Sequence, residues 1–269
     1  MTGVRTIGRK VPLMGFEIDA LTLDETLSEI DLVIARGHPT QHCAMNAAKA
    51  VLLEKDQRLR DVISTCALVS ADGVPIVWAS RVLGRPLPGR VNGTDMFIRL
   101  LARSEARGYG VYFLGATADV VNLVVKRARQ DHPGLRISGW HHGYLSEDDT
   151  KTVVAEARAA EPAILFVGMP TPRKELWLFE NLEDLGIPFC MGVGGSFDVY
   201  AGTVRRAPEW MQRHGLEWFF RLVQEPRRMW KRYLVGNTAF VLLVGKYLVK
   251  GDHGWRGRWR KAPDERRSH

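Results

Sequence analysis

Short apolar runs alternate with stretches of helical periodicity between Leu13 and Val193, and this alternation constrains the fold more than any other feature. Most runs are continuous in apolar character, which is typical of strands covered on both faces. They predict strands at Leu13–Ile18, His42–Met45, Ala67–Ser70, Val111–Leu114, Arg136–Ser138, Ala163–Val167 and Pro188–Val193. Helices are predicted between them at Asp24–Arg36, Ala47–Ile63, Asp95–Arg107, Ala118–Asp131, Glu147–Ala160 and Lys174–Leu185. Repeated β–α units predict an α/β fold with a Rossmann-like, mostly parallel sheet and helices on both faces.

Ligands of such sheets bind at the carboxyl ends of the strands, so the residues after each predicted strand are site candidates. Four strand exits carry glycine or polar residues: Met45–Ala47, Ser70–Gly73, Leu114–Thr117 and Val193–Asp198. Asp72 could serve there as a general base for a hydroxyl group, or could simply cap the next helix. The glycines before Asp198 could admit a nucleotide close to the backbone, or could form a plain turn.

Two loops carry further candidates. Arg90 precedes a predicted helix and could pair with a phosphate or carboxylate through two parallel hydrogen bonds, or could be a solvated surface residue. His141 and His142 are adjacent but have no third ligand at metal spacing, so we interpret them as a loop feature. The chain has neither a GxGxxG fingerprint nor a GxxxxGK[ST] phosphate loop.

The basic charge of the chain is concentrated near its carboxyl end. The net charge is +8, yet residues 204–269 carry 16 Lys/Arg against 6 Asp/Glu, together with five of the eight tryptophans. Tryptophan mixed with arginine and lysine is typical of a surface that meets lipid headgroups, although a solvated run of charge is the simpler alternative. We therefore predict a catalytic domain over residues 1–203, a basic aromatic helical appendage over 204–250 and a disordered tail over 251–269.

The cellular setting is predicted from three features. Cys43, Cys66 and Cys190 lie among apolar residues, as buried reduced thiols of a cytoplasmic protein do. The first residues lack the apolar core of a secretory signal. The most apolar late stretch, Leu234–Val249, is too short and too polar for us to expect it to span a membrane.

These segments together resemble the WecG/TagA/CpsF glycosyltransferase family. The matching segments are Asn46 with the helix after it, Ser70–Gly73, Arg90–Asp95, Gly139–Tyr144, Val167–Trp177, Gly192–Asp198, Arg205–Trp210 and Gly215–Arg228. Single segments are short, but the ordered set, which extends from Asn46 to Tyr233, is specific.

The resemblance implies an inverting transferase that uses a UDP-sugar and needs neither a metal nor another cofactor. The sugar would be N-acetylmannosamine, a uronate or a hexose. The acceptor would be a polyprenyl-diphosphate-linked glycan in cell-surface polysaccharide or teichoic-acid assembly. The protein would be peripheral on the cytoplasmic face of the cell membrane, with an anionic membrane surface as its partner. A homo-oligomer is compatible with this assignment, and nucleic acid is not expected to bind.

The resemblance also assigns roles to single residues. Asp72 matches the aspartate expected to act as general base, and Arg90 and Asn46 match polar groups of the same pocket. Stabilisation of the UDP leaving group is expected from Arg90 and the appendage arginines. The other predicted substrate-binding residues are Asn92, Lys174, Glu175, Gly194, Gly195, Asp198, Arg221, Arg228 and Arg232.

Two positions depart from the family pattern. Ala44 stands where the family usually has threonine, which removes a hydroxyl from the pocket. Lys174 stands where glutamine is usual, and a cation there would favour a diphosphate or an acidic sugar. The preference of the enzyme for an acidic donor sugar is therefore a hypothesis that depends on Lys174.

Three other functions are weighed against a transferase. A nicotinamide-dependent oxidoreductase would share the fold, but the dinucleotide fingerprint is missing. A nucleic-acid-binding module is permitted by the basic aromatic appendage alone, and a neutral-to-acidic body does not favour it. A non-catalytic membrane scaffold is disfavoured by the carboxylate predicted at a strand exit.

Overall fold

Six parallel strands form the central sheet of the computed structural model. The structure describes residues 10–213, 216–224 and 226–250, and it leaves out the side chains of residues 213, 221 and 227–235. The strands are β1 (Lys10–Leu13), β2 (Phe16–Asp19), β3 (Gln41–Met45), β4 (Leu68–Ala71), β5 (Val111–Gly115), β6 (Ile137–His141), β7 (Ile164–Gly168) and β8 (Phe189–Gly192). The sheet order is β4-β3-β8-β7-β5-β6, and β1 and β2 form a separate antiparallel pair. The predicted α/β fold is confirmed.

Helices connect the strands and cover both faces of the sheet. They are α1 (Leu23–Arg36), α2 (Ala47–Leu53), α3 (Gln57–Thr65), α4 (Val74–Val82), α5 (Gly93–Arg107), α6 (Ala118–Asp131), α7 (Glu147–Ala159), α8 (Arg173–Leu185), α9 (Ser196–Ala201), α10 (Glu209–Arg213), α11 (Glu217–Gln224) and α12 (Pro226–Lys250). On one face Phe113 of β5 packs edge-on against Phe97 of α5. On the other, its neighbour Tyr112 packs with Val153 of α7 and Leu178 of α8. Alternate residues of β5 are thus buried on opposite faces, as the continuous apolar run predicted.

Two predicted elements were wrong. The predicted strand Leu13–Ile18 contains the turn of the β1–β2 hairpin and most of β2, because Met14 and Gly15 have positive φ angles of 46° and 78° and reverse the chain. The helix Ala47–Ile63 is two helices, because Asp56 accepts a hydrogen bond from the Leu59 amide at 2.9 Å and starts α3 anew. A turn with positive φ angles and a polar helix cap each interrupted an apolar pattern that looked continuous.

The last helix packs against the body of the protein. Phe240, Leu243 and Val244 of α12 are buried in the cluster that lies beside α2 and the β1–β2 hairpin. The Tyr247 hydroxyl donates a hydrogen bond to Glu54 at 3.2 Å. Among the described residues, no helix is long and apolar enough to cross a membrane. The tail predicted over residues 251–269 lies outside the described residues.

Candidate active site at the carboxyl end of the sheet

Three chain segments meet where β3 and β4 end. The Asp72 amide donates to the Met45 carbonyl at 2.7 Å, which ties the exit of β4 to the exit of β3. The Val91 amide donates to the Ala71 carbonyl at 2.8 Å, which brings the loop before α5 to the same place. Neighbouring parallel strands place their exits side by side, so the sheet itself assembles this site.

Asp72 is half-buried at the centre of this junction. Burial raises the pKa of its carboxyl group, and Glu217 raises it further, while the Gly93 amide, Lys49 and Lys174 oppose the shift. Helix α4 has no side-chain cap, so Asp72 does not cap the helix that follows it. Its Oδ1 instead accepts a hydrogen bond from Gly93 at the start of α5, at 3.3 Å. A carboxylate with a raised pKa is suited to accept a proton.

The two predicted asparagines cap helices at the edge of the site. Asn46 Oδ1 accepts from the Lys49 amide at 3.0 Å and begins α2. Asn92 Oδ1 accepts from the amides of Thr94 and Asp95, at 2.9 and 3.1 Å, and begins α5. Both side chains therefore fix the loops that surround Asp72.

Arg90 is held by a residue of the appendage. Its Nη1 lies 2.8 Å from Glu217 Oε2, and Asn92 Nδ2 donates to the same oxygen at 3.5 Å. Helix α11 is thereby brought to the rim of the site. No local feature of the sequence indicates the contact of Glu217 with Arg90, because the two residues are far apart along the chain. The side chains of the predicted Arg221, Arg228 and Arg232 lie outside the described residues.

Lys174 crosses the exit of β8. A Cβ added to Gly192 would lie 2.7 Å from Lys174 Cδ, and one added to Gly194 would lie 3.1 Å from Nζ, so these glycines make room for the lysine. Its Nζ donates to Thr171 Oγ1 at 3.1 Å. Burial lowers the pKa of Lys174, and Lys49 lowers it further. Gly195 precedes α9, which carries the half-buried Asp198.

The structure places Glu175, one of the predicted substrate-binding residues, in a buried ion pair with Lys49 beneath the site, where its side chain is not exposed to a substrate. Glu175 Oε1 lies 2.8 Å from Lys49 Nζ, and the two side chains are only 3% and 2% exposed. Burial by itself lowers the pKa of Lys49, but Cys43 and Glu175 outweigh it and the pKa is raised. Sequence reasoning missed Lys49, because a lysine near a helix start is usually solvated. The predicted burial of Cys43, Cys66 and Cys190 as free thiols is confirmed.

Comparison with known proteins identifies the chain. The family model described as "Glycosyl transferase WecG/TagA/CpsF family" matches residues 11–254. The chain belongs to the WecG/TagA/CpsF glycosyltransferase family. Its resemblance to this family, inferred from ordered motifs, is thereby confirmed, and so is its expected enzyme class. The oxidoreductase and scaffold interpretations are set aside.

Three relatives share one name, N-acetylglucosaminyldiphosphoundecaprenol N-acetyl-beta-D-mannosaminyltransferase. The protein of Bacillus subtilis (strain 168) is 36% identical over 67% of this chain and 69% of its own. That of Bacillus spizizenii is 33% identical over 67% and 69%. That of Staphylococcus aureus (strain MW2) is 29% identical over 90% and 95%. Similarity to the Staphylococcus protein thus extends over nearly the whole of both chains.

A second group of exits in this glycosyltransferase lies at β5 and β7. The Ala116 amide donates to the Gly168 carbonyl, and the Gly143 amide donates to the Ala116 carbonyl, both at 2.9 Å. The rings of His141 and His142 lie beside this junction, with centroids 4.2 Å apart. Within the described ranges, no three His, Cys, Asp or Glu side chains are grouped as metal ligands. The independence of the reaction from metal stays a prediction.

Proposed function

We propose that this glycosyltransferase moves a sugar from a UDP-sugar to a polyprenyl-diphosphate-linked acceptor with inversion at the anomeric carbon. Family membership supports the reaction class, and the names of the three relatives support the acceptor. The mechanism rests on one observation: the Asp72 carboxylate is half-buried and has a raised pKa at the point where the exits of β3 and β4 meet.

The proposed reaction is a single in-line displacement at Asp72. The acceptor hydroxyl loses its proton to the Asp72 carboxylate while its oxygen forms the new bond to C1 of the donor sugar. The bond between C1 and the diphosphate oxygen breaks, and UDP leaves with the bonding electron pair. A raised pKa makes Asp72 a stronger base once it is ionised, which suits proton abstraction from a hydroxyl group.

The negative charge that develops on the departing diphosphate must be stabilised by positive charge, and we propose that cationic side chains of the protein provide it. Lys174 Nζ lies over Gly194 at the exit of β8, where a diphosphate could approach the backbone. Arg90 is oriented at the rim by its ion pair with Glu217. The appendage arginines Arg221, Arg228 and Arg232 complete the proposed set. Fixed cations stabilise a developing negative charge in the way that a metal ion would.

The sugar of the donor is open to a direct test. The names of the relatives favour N-acetylmannosamine. Lys174 adds a positive charge beside the exit of β8, and this charge would favour a uronate. We propose a panel of UDP-N-acetylmannosamine, a UDP-uronate and a UDP-hexose against a short-chain polyprenyl-diphosphate N-acetylglucosamine, read by mass spectrometry. No product with any donor would contradict the proposed function, and product formed in EDTA would support metal independence.

The acceptor places the enzyme at a membrane surface in this proposal. Residues 204–269 contribute basic and tryptophan residues, and α11 exposes Trp218, Phe219 and Val223. We propose that the appendage over residues 204–250 binds anionic lipid on the cytoplasmic face, next to the catalytic domain over 1–203. Co-sedimentation with anionic liposomes tests this, and preferential binding to DNA at the same salt concentration would instead support nucleic-acid recognition.

A further inference from the structure

Two lysines approach one buried carboxylate beneath the site. Lys49 Nζ lies 2.8 Å from Glu175 Oε1, and Lys174 Nζ lies 3.6 Å from the same oxygen. The side chains of Lys49 and Glu175 are almost fully buried, whereas that of Lys174 is 13% exposed. The carboxylate is therefore bonded to the deeper lysine, and the outer lysine stays partly exposed over Gly194 at the exit of β8, which we call the crevice.

We propose that Lys49 is a positioning residue, which holds the Glu175 carboxylate so that the Lys174 ammonium stays in the crevice and binds the diphosphate of the donor. This inference rests on the proposed function, in which the donor is a nucleoside diphosphate sugar. Lys49 itself does not contact the substrate.

Lys49 is fixed through both its side chain and its backbone. Its Nζ also donates to the Ala44 carbonyl at 2.7 Å, and its backbone amide is bonded to Asn46 Oδ1. Both contacts are to the exit of β3. The ion pair therefore joins this exit to the first turn of α8, where Glu175 and Lys174 lie side by side.

Removing Lys49 alone would leave the Glu175 carboxylate buried without its ion-pair partner, with only the Thr171 hydroxyl, among the described groups, donating to its Oε1 at 3.1 Å. An unpaired buried charge is costly, and interactions between charges are strong where little water screens them. Lys174, already 3.6 Å away, is the nearest described cation that could neutralise the carboxylate. Its ammonium would turn from the crevice toward Glu175, and the diphosphate would lose a charge-assisted hydrogen bond.

The balance of charge supports this arrangement. Two ammonium groups face one carboxylate, so Lys49, Lys174 and Glu175 together hold one positive charge more than they balance, and the further carboxylate that interacts with Lys174 is that of the proposed base, Asp72. Burial raises the pKa of Glu175, but Lys49 and Lys174 lower it by more, which keeps the carboxylate ionised. The Lys174 side chain is only 13% exposed, so its charge is poorly solvated, and burial accordingly lowers its pKa. A bound anion would compensate that charge.

The test is UDP binding to the full chain by isothermal titration calorimetry. We expect Lys49→Met to weaken UDP binding by roughly tenfold or more, the effect of one hydrogen bond to a charged group. The double variant Lys49→Met with Glu175→Gln should recover wild-type affinity, because no carboxylate remains to capture Lys174. Glu175→Gln alone should bind UDP as tightly as wild type or more tightly. A purely structural pair would instead weaken binding in both single variants.

The controls separate this inference from the proposed function. Lys10→Met removes an ion pair with Asp19 at the other end of the sheet and should leave UDP affinity unchanged. Unchanged UDP affinity in Lys49→Met, or a double variant that binds no better than it, would overturn the inference. Wild-type protein that does not bind UDP would overturn the proposed donor instead. If Lys49→Met does not fold, the inference is tested with Glu175→Gln and with the double variant. A UDP affinity below that of wild type in both of these variants would overturn the inference.

Discussion

The two ends of strands β3 and β4 each hold a lysine–carboxylate ion pair, and the pairs differ in their surroundings. At the amino end, Lys10 Nζ lies 3.0 Å from Asp19 Oδ2, and one lysine, 28% exposed, balances one buried carboxylate, 1% exposed. The same oxygen accepts from the Val69 amide at 2.7 Å, so the pair joins the hairpin to β4. At the carboxyl end, the pair of Lys49 and Glu175 is buried beside a further cation, Lys174.

This difference indicates that the ion pair at the amino end serves the structure, whereas the charged cluster at the carboxyl end serves the site. Balanced charges at the amino end hold β2 against β4. At the carboxyl end, the surplus cation and the raised pKa of Asp72 both reflect charged forms that burial disfavours. Titratable groups perturbed in this way are concentrated at functional sites. The comparison predicts that equivalent substitutions at the two ends will have different consequences.

The largest expected effect is on turnover. Asp72→Asn keeps the shape of the side chain and removes the base, so kcat should fall by about 10²–10⁴-fold while UDP still binds. The matched substitution Asp19→Asn at the amino end should lower stability and leave kcat near wild type. Steady-state kinetics with the lipid-linked acceptor analogue measures both. Full activity in Asp72→Asn would exclude this residue as the base.

The next effect is on stability. Lys49→Met breaks a buried pair and should lower the free energy of unfolding by about 3–5 kcal/mol. Lys10→Met removes a partly exposed lysine, and the buried Asp19 carboxylate keeps its hydrogen bond from the Val69 amide, so the loss should be smaller than in Lys49→Met. Denaturation by urea, followed by circular dichroism, gives both values. Equal losses at the two ends would remove the distinction between them.

A smaller effect concerns the choice of donor. Lys174→Gln removes the cation proposed to bind the diphosphate, so KM should rise for every UDP-sugar, and KM for a UDP-uronate should rise by roughly tenfold more than KM for a neutral UDP-sugar. Kinetics with the two donors side by side give this ratio. If the ratio does not change, Lys174 does not contact an acidic group on the sugar.

The smallest effect is at the rim. Glu217→Gln weakens the contact with Arg90, whose side chain is 22% exposed, and should cost about 0.5–1 kcal/mol in stability. Because Glu217 raises the pKa of Asp72, the acid limb of the pH–rate profile should move to lower pH. A shift to higher pH would show that Glu217 does not act on Asp72 through its charge.

The sequence predicted most elements of the sheet and the place of the site. Continuous apolar runs identified the buried strands, and the rule that ligands bind at strand exits selected Asp72. Residues brought together over long range were not predicted. Lys49 and Glu175 are 126 positions apart, and neither shows by its neighbours that it is buried against the other. The contact of Glu217 with Arg90 likewise depends on how the appendage packs.

The profile of kcat against pH, for wild type and Asp72→Asn, tests the central claim most directly. Asp72 must be ionised to accept a proton, so the wild-type rate should fall as pH falls through its pKa. Because burial raises that pKa, the acid limb should lie above the ordinary value of 3.8. The residual activity of Asp72→Asn should lack this limb. The same limb in both proteins would contradict Asp72 as the base.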